Sequence, residues 1–261
     1  MAWSDWLYKA GPAGGTLETL MDYCDAVRVV AEQSTGRRGS NPVVEYRHGE
    51  WSSPRKYVRA SNFVLEVFIS YTNAAGAVTH ADGAAGHALE NLGNVKRIFG
   101  GNQATLVRLE RTAPDQGTVY RDCEVLGEVS PSQARHIFTI PLHAPHPFWV
   151  GAADTGNTGT TLTVAGDAPI GDAVVTFTSG TDQKLTHTAS GASIQISGTT
   201  PAGGVEVDIG AGTCVKVTGG TDYSNYLVVS SPWWMELDPG ANTVSVSGGG
   251  TISTDWFTQW R

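Results

Sequence analysis

From Thr160 onward the chain is written in short β-branched and apolar segments, each closed by Gly, Asp or Pro, and this pattern restricts the fold more than any other. Thr160–Val164, Ala173–Thr178, Leu185–Thr188, Ser193–Ile196, Val205–Ile209, Cys214–Val217 and Thr243–Val246 follow one another at intervals of about ten residues. None is long enough to make the turns of a stable helix, and all are rich in Val, Ile and Thr. Such a series predicts an antiparallel β-sandwich. The closing stretch TISTDWFTQWR reads as one more strand, with Trp256 and Trp260 on the same alternation parity. Glycine marks the same region, since 18 of the 32 glycines lie beyond residue 150.

The preceding half is different. It reads as mostly β with one or two helices. Val43–Tyr46, Tyr57–Val58, Asn62–Tyr71, Ala104–Arg111, Val119–Val129 and Ala134–Leu142 are expected strands. Between Ala84 and Phe99 the period lengthens, placing Ala88, Leu92, Val95 and Phe99 on one helical face before Gly100-Gly101. Leu17–Ala31 fits helix and strand equally.

Charge divides the chain at the same place. Residues 1–150 hold 14 Lys+Arg against 15 Asp+Glu, whereas 151–261 hold 3 against 10, so nearly all of the net −8 lies in the second part. Two domains are expected, 1–148 and 149–261, joined through the Pro141, Pro145, Pro147 and Gly/Asn/Thr-rich stretch, where regular structure is discouraged. The acidity excludes a protein that grips nucleic acid, though not one past which DNA travels. The N-terminus lacks the basic and apolar regions of a signal peptide, and no run approaches the ~20 apolar residues of a membrane span. Three widely spaced cysteines, Cys24, Cys123 and Cys214, suggest reduced thiols rather than a disulfide framework.

Chemistry is weakly signalled. His136, His143 and His146 with Cys123 are the nearest approach to a metal set, but two lie in a Pro-rich connector and ordinary loop histidines explain them better. Asp122/Glu124 and Glu206/Asp208 place carboxylates at i and i+2, on one strand face, where a solvated surface is the simpler account than glycosidase chemistry. GxSxG, HExxH, Walker and EF-hand patterns are missing from the sequence. No enzyme, metal or cofactor is expected.

Two clusters suit recognition instead. Arg37, Arg38, Arg47, Trp51, Arg55, Lys56 and Arg59 combine cations and an aromatic with neighbouring acids, a composition that fits a protein interface better than a phosphate-binding field. Trp233 and Trp234 are consecutive, so in an extended chain one faces outward and offers a stacking platform, while the other packs in a core or interface. A carbohydrate-binding sandwich is the competing function.

The order of motifs resembles the long-tailed (siphovirus) phage distal tail, or minor tail, protein family. The resemblance rests on Arg38-Gly39-Ser40-Asn41-Pro42 leading to Pro54-Arg55-Lys56, and on the strand and Ala-Pro-x-Pro-aromatic connector from Phe138 to Trp149. It rests further on Gly166-Asp167-Ala168-Pro169 and on the ending from Trp234 through Asp238-Pro239-Gly240-Ala241-Asn242 to Trp256 and Trp260. It implies a mainly β protein with an N-terminal β-rich hub domain that forms a six-membered ring and a C-terminal galectin-like antiparallel β-sandwich. The implied partners are further copies of the chain, a tail-tube protein and tail-tip or fibre proteins. DNA would meet it only in transit through the channel, and the place of action would be the virion tail, assembled in the host cytoplasm.

Overall fold

The computed structural model describes residues 7–30, 61–100, 106–114, 116–132, 136–146, 148–228 and 235–260 in full, with the backbone alone at 37–39, 56–58 and 229. The chain divides into two compact units, Met1–Trp149 and Val150–Arg261.

In the first unit the strands are β1 (Leu7–Pro12), β2 (Glu18–Thr19), β3 (Cys24–Val30), β4 (Arg37–Gly39), β5 (Lys56–Val58) and β6 (Ser61–Ile69). The helix α1 (Gly83–Gly100) follows, then β7 (Val107–Ala113), β8 (Gly117–Val125), β9 (Ser130–Pro131) and β10 (Ile137–Ala144). Neighbouring strands run in the order β2-β1-β7-β8-β10-β6-β3, with β9 beside β10 and β4–β5 forming a separate two-stranded ribbon. The expected alternation of β6 is realised: Phe63, Leu65, Val67 and Ile69 are buried, while Glu66 faces outward to Arg28 on β3, 2.7 Å away. Opposite β6, Ile140, Leu142 and Ala144 of β10 point into the same core. The ambiguous early stretch holds β2, a 3-10 turn at Leu20–Asp22 and the strand β3, which pairs to β6 with a bulge between Cys24 and Ala26.

The helix lies where its period placed it, but its buried stripe is rotated. His87, Asn91, Val95, Ile98 and Phe99 are buried, whereas Ala88 and Leu92 are half-exposed and Leu89 is open to solvent. The apolar C-terminal half of α1 sits against the sheet. Its N-terminal half sits against a polar loop, and polar side chains are therefore the ones turned inward.

The second unit contains β11 (Trp149–Asn157, starting at the last residue of the first unit), β12 (Thr161–Val164), β13 (Val174–Thr178), β14 (Lys184–His187), β15 (Ser193–Ile196) and β16 (Val205–Asp208). It ends with β17 (Thr213–Lys216), β18 (Leu227–Val229), β19 (Gly240–Ser247) and β20 (Thr251–Trp260). One sheet runs β17-β16-β13-β20-β11 and the other β12-β19-β14-β15-β18. Phe177, Val205, Val207 and Ile252 from the first meet Leu162, Leu185, Ile194 and Val244 from the second in one core. This is the expected antiparallel sandwich, and the protein is mainly β with one α-helix among the described residues. The connector differs from expectation: β10 continues through Pro141 to Ala144, and β11 occupies Trp149–Asn157.

Two polar devices close the sandwich. Buried Asn242 accepts the Asp238 N–H at 2.9 Å and donates back to the Asp238 carbonyl at 2.7 Å. That pair of bonds explains the Asp-Pro-Gly-Ala-Asn turn. At the other end Gln183, fully buried, donates to the Gly249 carbonyl at 2.8 Å and accepts from Thr200 Oγ1 at 2.6 Å. The turn it holds, Gly248-Gly249-Gly250, has positive φ throughout.

Candidate interaction surfaces

The basic cluster is partly assembled by the β4–β5 ribbon. Arg37 stands opposite Val58, Arg38 opposite Tyr57, and Gly39 opposite Lys56. Residues separated by a long insert are thus brought to adjacent backbone positions, on a ribbon that pairs with no other described strand. Arg47, Trp51, Arg55 and Arg59 lie outside the described residues, as do Trp233 and Trp234.

The histidines considered as metal ligands are dispersed. His143 is on the outer face of β10, between Asn62 and Glu124 in one register row, and its Nδ1 is 2.6 Å from Asn62 Oδ1. Cys123, one position from Glu124, is on the opposite, buried face of β8. Burial pushes its thiol up to about 12. His146 turns back onto the Phe148 carbonyl at 3.1 Å, and His136 lies beside the rings of Phe68 and Tyr71. One member of the first carboxylate pair is committed to an ion pair. Asp122 is gripped by Arg108 through two bonds of 2.7 and 2.8 Å, and Arg108 also lies 3.9 Å from the Tyr120 ring centre.

The second unit brings together residues that local spacing did not. Asp208 on β16 and Asp255 on β20 are both register partners of Val174 on β13, so the three form one row on one face. Asp172 lies just beyond them, and exposed Phe257 flanks them, around a surface cavity of about 410 Å³. Asp208 Oδ1 accepts the Ala211 N–H at 2.8 Å, Asp255 accepts the Gly156 N–H, and Asp172 accepts from Gln259. Each carboxylate is therefore held in place with an apolar floor between them. Alternation within β16 and β20 puts Asp208 and Asp255 on their outer faces, but only the pairing of distant strands sets them in one row.

The aromatics at the C-terminus are divided too. Trp256 is in the core, Phe257 is outward, and the alternation then slips so that Gln259 rather than Trp260 is buried. The Gln259 side-chain amide donates to Asp172 Oδ1 at 2.9 Å, and its backbone carbonyl accepts the N–H groups of Asp167 and Ala168.

No family model matches the chain, and no curated protein does. Among solved structures, it is similar to the Dit protein of SPP1, described as a paradigm of the hub adsorption apparatus in phages that infect Gram-positive bacteria. The identity is 12%, the TM-score 0.61, and the match covers 97% of this chain and 99% of that one. The two share a fold. A chain of the activated phage p2 baseplate covers 96% of this chain and is itself 98% covered, at 11% identity and TM-score 0.34. A chain from the tail of an empty GTA particle, determined with C6 symmetry, matches over 56% of this chain and 95% of its own length, at 13% identity and TM-score 0.30. The fold assignment rests on the SPP1 hub protein.

Proposed function

We propose that the chain is a structural protein of a long-tailed phage virion, a distal tail protein forming a ring between the tail tube and the tail-tip or receptor-binding proteins. The observation that carries this reading is a fold shared with the SPP1 hub protein along almost the full length of both chains. The residues 1–148 are the hub domain and 149–261 the peripheral sandwich. Ring closure uses a second copy of the chain, with Arg37, Arg38, Arg47, Trp51, Arg55, Lys56 and Arg59 supplying the basic rim of the contact, and a hexamer is the expected order. A nearly neutral first domain surrounds a channel without binding the DNA that passes through it.

Light scattering and negative-stain imaging of the purified chain test the reading. Closed rings that dissolve on charge reversal at Arg37 and Arg38 are expected. A strictly monomeric species at high concentration, with no recruitment by tail tubes, overturns it.

The row of Asp208, Val174 and Asp255 beside exposed Phe257 favours a second reading, a carbohydrate- or receptor-binding module of a phage tail. Carboxylates accept sugar hydroxyls and an aromatic face stacks on a pyranose. Glycan-array binding lost on Phe257→Ala would raise this reading above the purely structural one.

A further inference from the structure

The loop between β6 and α1 is fastened to a histidine that can hold it in only one protonation state. The chain leaves β6 at Ser70 and returns over the first two turns of α1. There His87, 5% exposed, accepts the backbone N–H of Thr79 and of His80 at its Nε2, each at 2.8 Å. The Thr79 hydroxyl lies 3.3 Å from the same nitrogen. Backbone amides can only donate, so Nε2 must present its lone pair and the single ring proton sits on Nδ1. Nδ1 faces Glu90 at 3.8 Å.

The ties made by Asn91 and Asn73 do not involve a titrating group. Asn91 donates to the carbonyls of Ser70 and Thr72, each at 2.9 Å. Asn73 Oδ1 accepts from Ala75 and Ala77 at 3.0 and 2.9 Å, shaping the loop within itself. The ring of His80 packs edge-on to that of His87, at 5.5 Å between centres, in space left by Gly86, where a Cβ would stand 2.0 Å from His80 Nδ1. His80 in turn accepts the Asp82 N–H at 3.0 Å. Thus Asn91 anchors the first residues of the loop, and His87 anchors the last.

We propose that His87 is an acid-released latch, docking segment 73–82 on α1 while its ring is neutral and letting it go when the ring takes a second proton. That proton can enter only at Nε2. It turns an acceptor of two bonds into a donor aimed at two donors, so both bonds are lost together. Glu90 supplies a counter-charge from the other side of the ring, which gives the protonated state a partner once the loop has left. On the loop side the titratable groups are His80 and Asp82. The strands packed on α1 contribute Glu66 and Lys9, committed to Arg28 and Glu110, and Tyr8 within the core. Docking is complete at the higher pH and is lost as pH falls.

Hydrogen exchange of the full chain, with rates normalised to intrinsic exchange at each pH, tests this. Between about pH 7.5 and 5, protection of the 73–82 segment is expected to fall about tenfold or more, while that of β6 and β10 stays unchanged. His87→Gln offers an amide oxygen that accepts without titrating, so its profile is expected to be flat. A flat wild-type profile overturns the proposal, as does an unchanged fall in His87→Gln. Loss of the fall in His80→Asn would transfer the role to His80 and overturn it equally. Should His87→Gln not fold, ring nitrogen shifts of the wild-type chain decide the matter. The Thr79 and His80 amides must titrate with the His87 ring, and a ring that protonates without moving them excludes the latch.

Discussion

The guanidinium of Arg121 lies 4.6 Å from the ring centre of Trp149, and both side chains are buried in the first unit. Arg111 approaches the same ring at 4.1 Å, and Phe63 stands 6.5 Å from it. Two cations thus share an indole in a core otherwise built from Leu109, Val119, Cys123 and Leu142. The indole face attracts both charges through its quadrupole, in a setting where water competes little.

Trp149→Ala removes that surface together with a large core volume. A loss of about 3–5 kcal/mol is expected from denaturant unfolding. Trp149→Phe keeps an aromatic face and removes an indole N–H that has no hydrogen-bond partner among the described residues, so it should cost clearly less. Equal losses for the two variants would mean that the ring retained in Trp149→Phe contributes neither packing nor stacking on Arg111 and Arg121.

Glycine substitutions should split by sign. A Cβ on Gly250, at φ +67°, would stand 2.2 Å from the Thr178 carbonyl oxygen and 2.8 Å from Gln183 Nε2. Gly250→Ala therefore strains the backbone and disturbs the Gln183 pin, at a cost of about 1–3 kcal/mol. Gly93 is an exposed position inside α1 with open space around its Cβ. Gly93→Ala is expected to stabilise by about 0.4–1 kcal/mol, through the lower entropy of the unfolded chain. Thermal melts of the two variants, run beside the parent, give opposite shifts.

These sites also mark where sequence patterns speak and where they stop. Phe63, Leu65 and Val67 were readable because a period of two assigns each side chain its face whatever the neighbours are. Arg111 and Arg121 obey the same parity, lying in step with Leu109 and Val119, yet their charge argues for the surface and conceals their position. His87 and Asn91 escape an apolar search altogether, since what they pack against is loop backbone. Asp208 and Asp255 share a face only through Val174, and register between strands separated by dozens of residues is set by pairing, which no local pattern contains.

Acid should loosen the join between α1 and β2. Arg97 makes two bonds to Glu18, at 2.8 and 2.7 Å, and Tyr23 donates to the same carboxylate at 2.8 Å. The Arg97 bonds, followed by that from Tyr23, hold the Glu18 carboxyl below its ordinary value of 4.5. A carboxylate with a lowered native value stabilises the fold above the ordinary value and loses that contribution as pH falls through the native one. Because the pair is largely solvated, Glu18→Gln should cost less than about 1 kcal/mol at neutral pH. The gap in melting temperature between parent and variant is expected to close below about pH 4.5. A gap that persists at lower pH would show that charge is not its source.

The three thiols should be silent in the folded chain and reactive in the unfolded one. Cys24, Cys123 and Cys214 are free and buried. Burial, with Asp25 adding repulsion near Cys24, pushes Cys24 up to about 12, and burial with Asp222 pushes Cys214 to about 11. Burial again dominates at Cys123, at about 12, against the small opposing pull of Arg121. Alkylation proceeds through the thiolate, whose fraction at pH 8 is then on the order of one in a thousand or less, and the reagent must also reach a closed core. Mass spectrometry after iodoacetamide treatment should find the native chain unmodified and the urea-unfolded chain carrying three adducts. Since Cys24 and Cys123 belong to the first unit and Cys214 to the second, stepwise labelling across a denaturant series reports which unit opens first. Prompt labelling of Cys24 in native buffer would contradict the burial of β3 against β6.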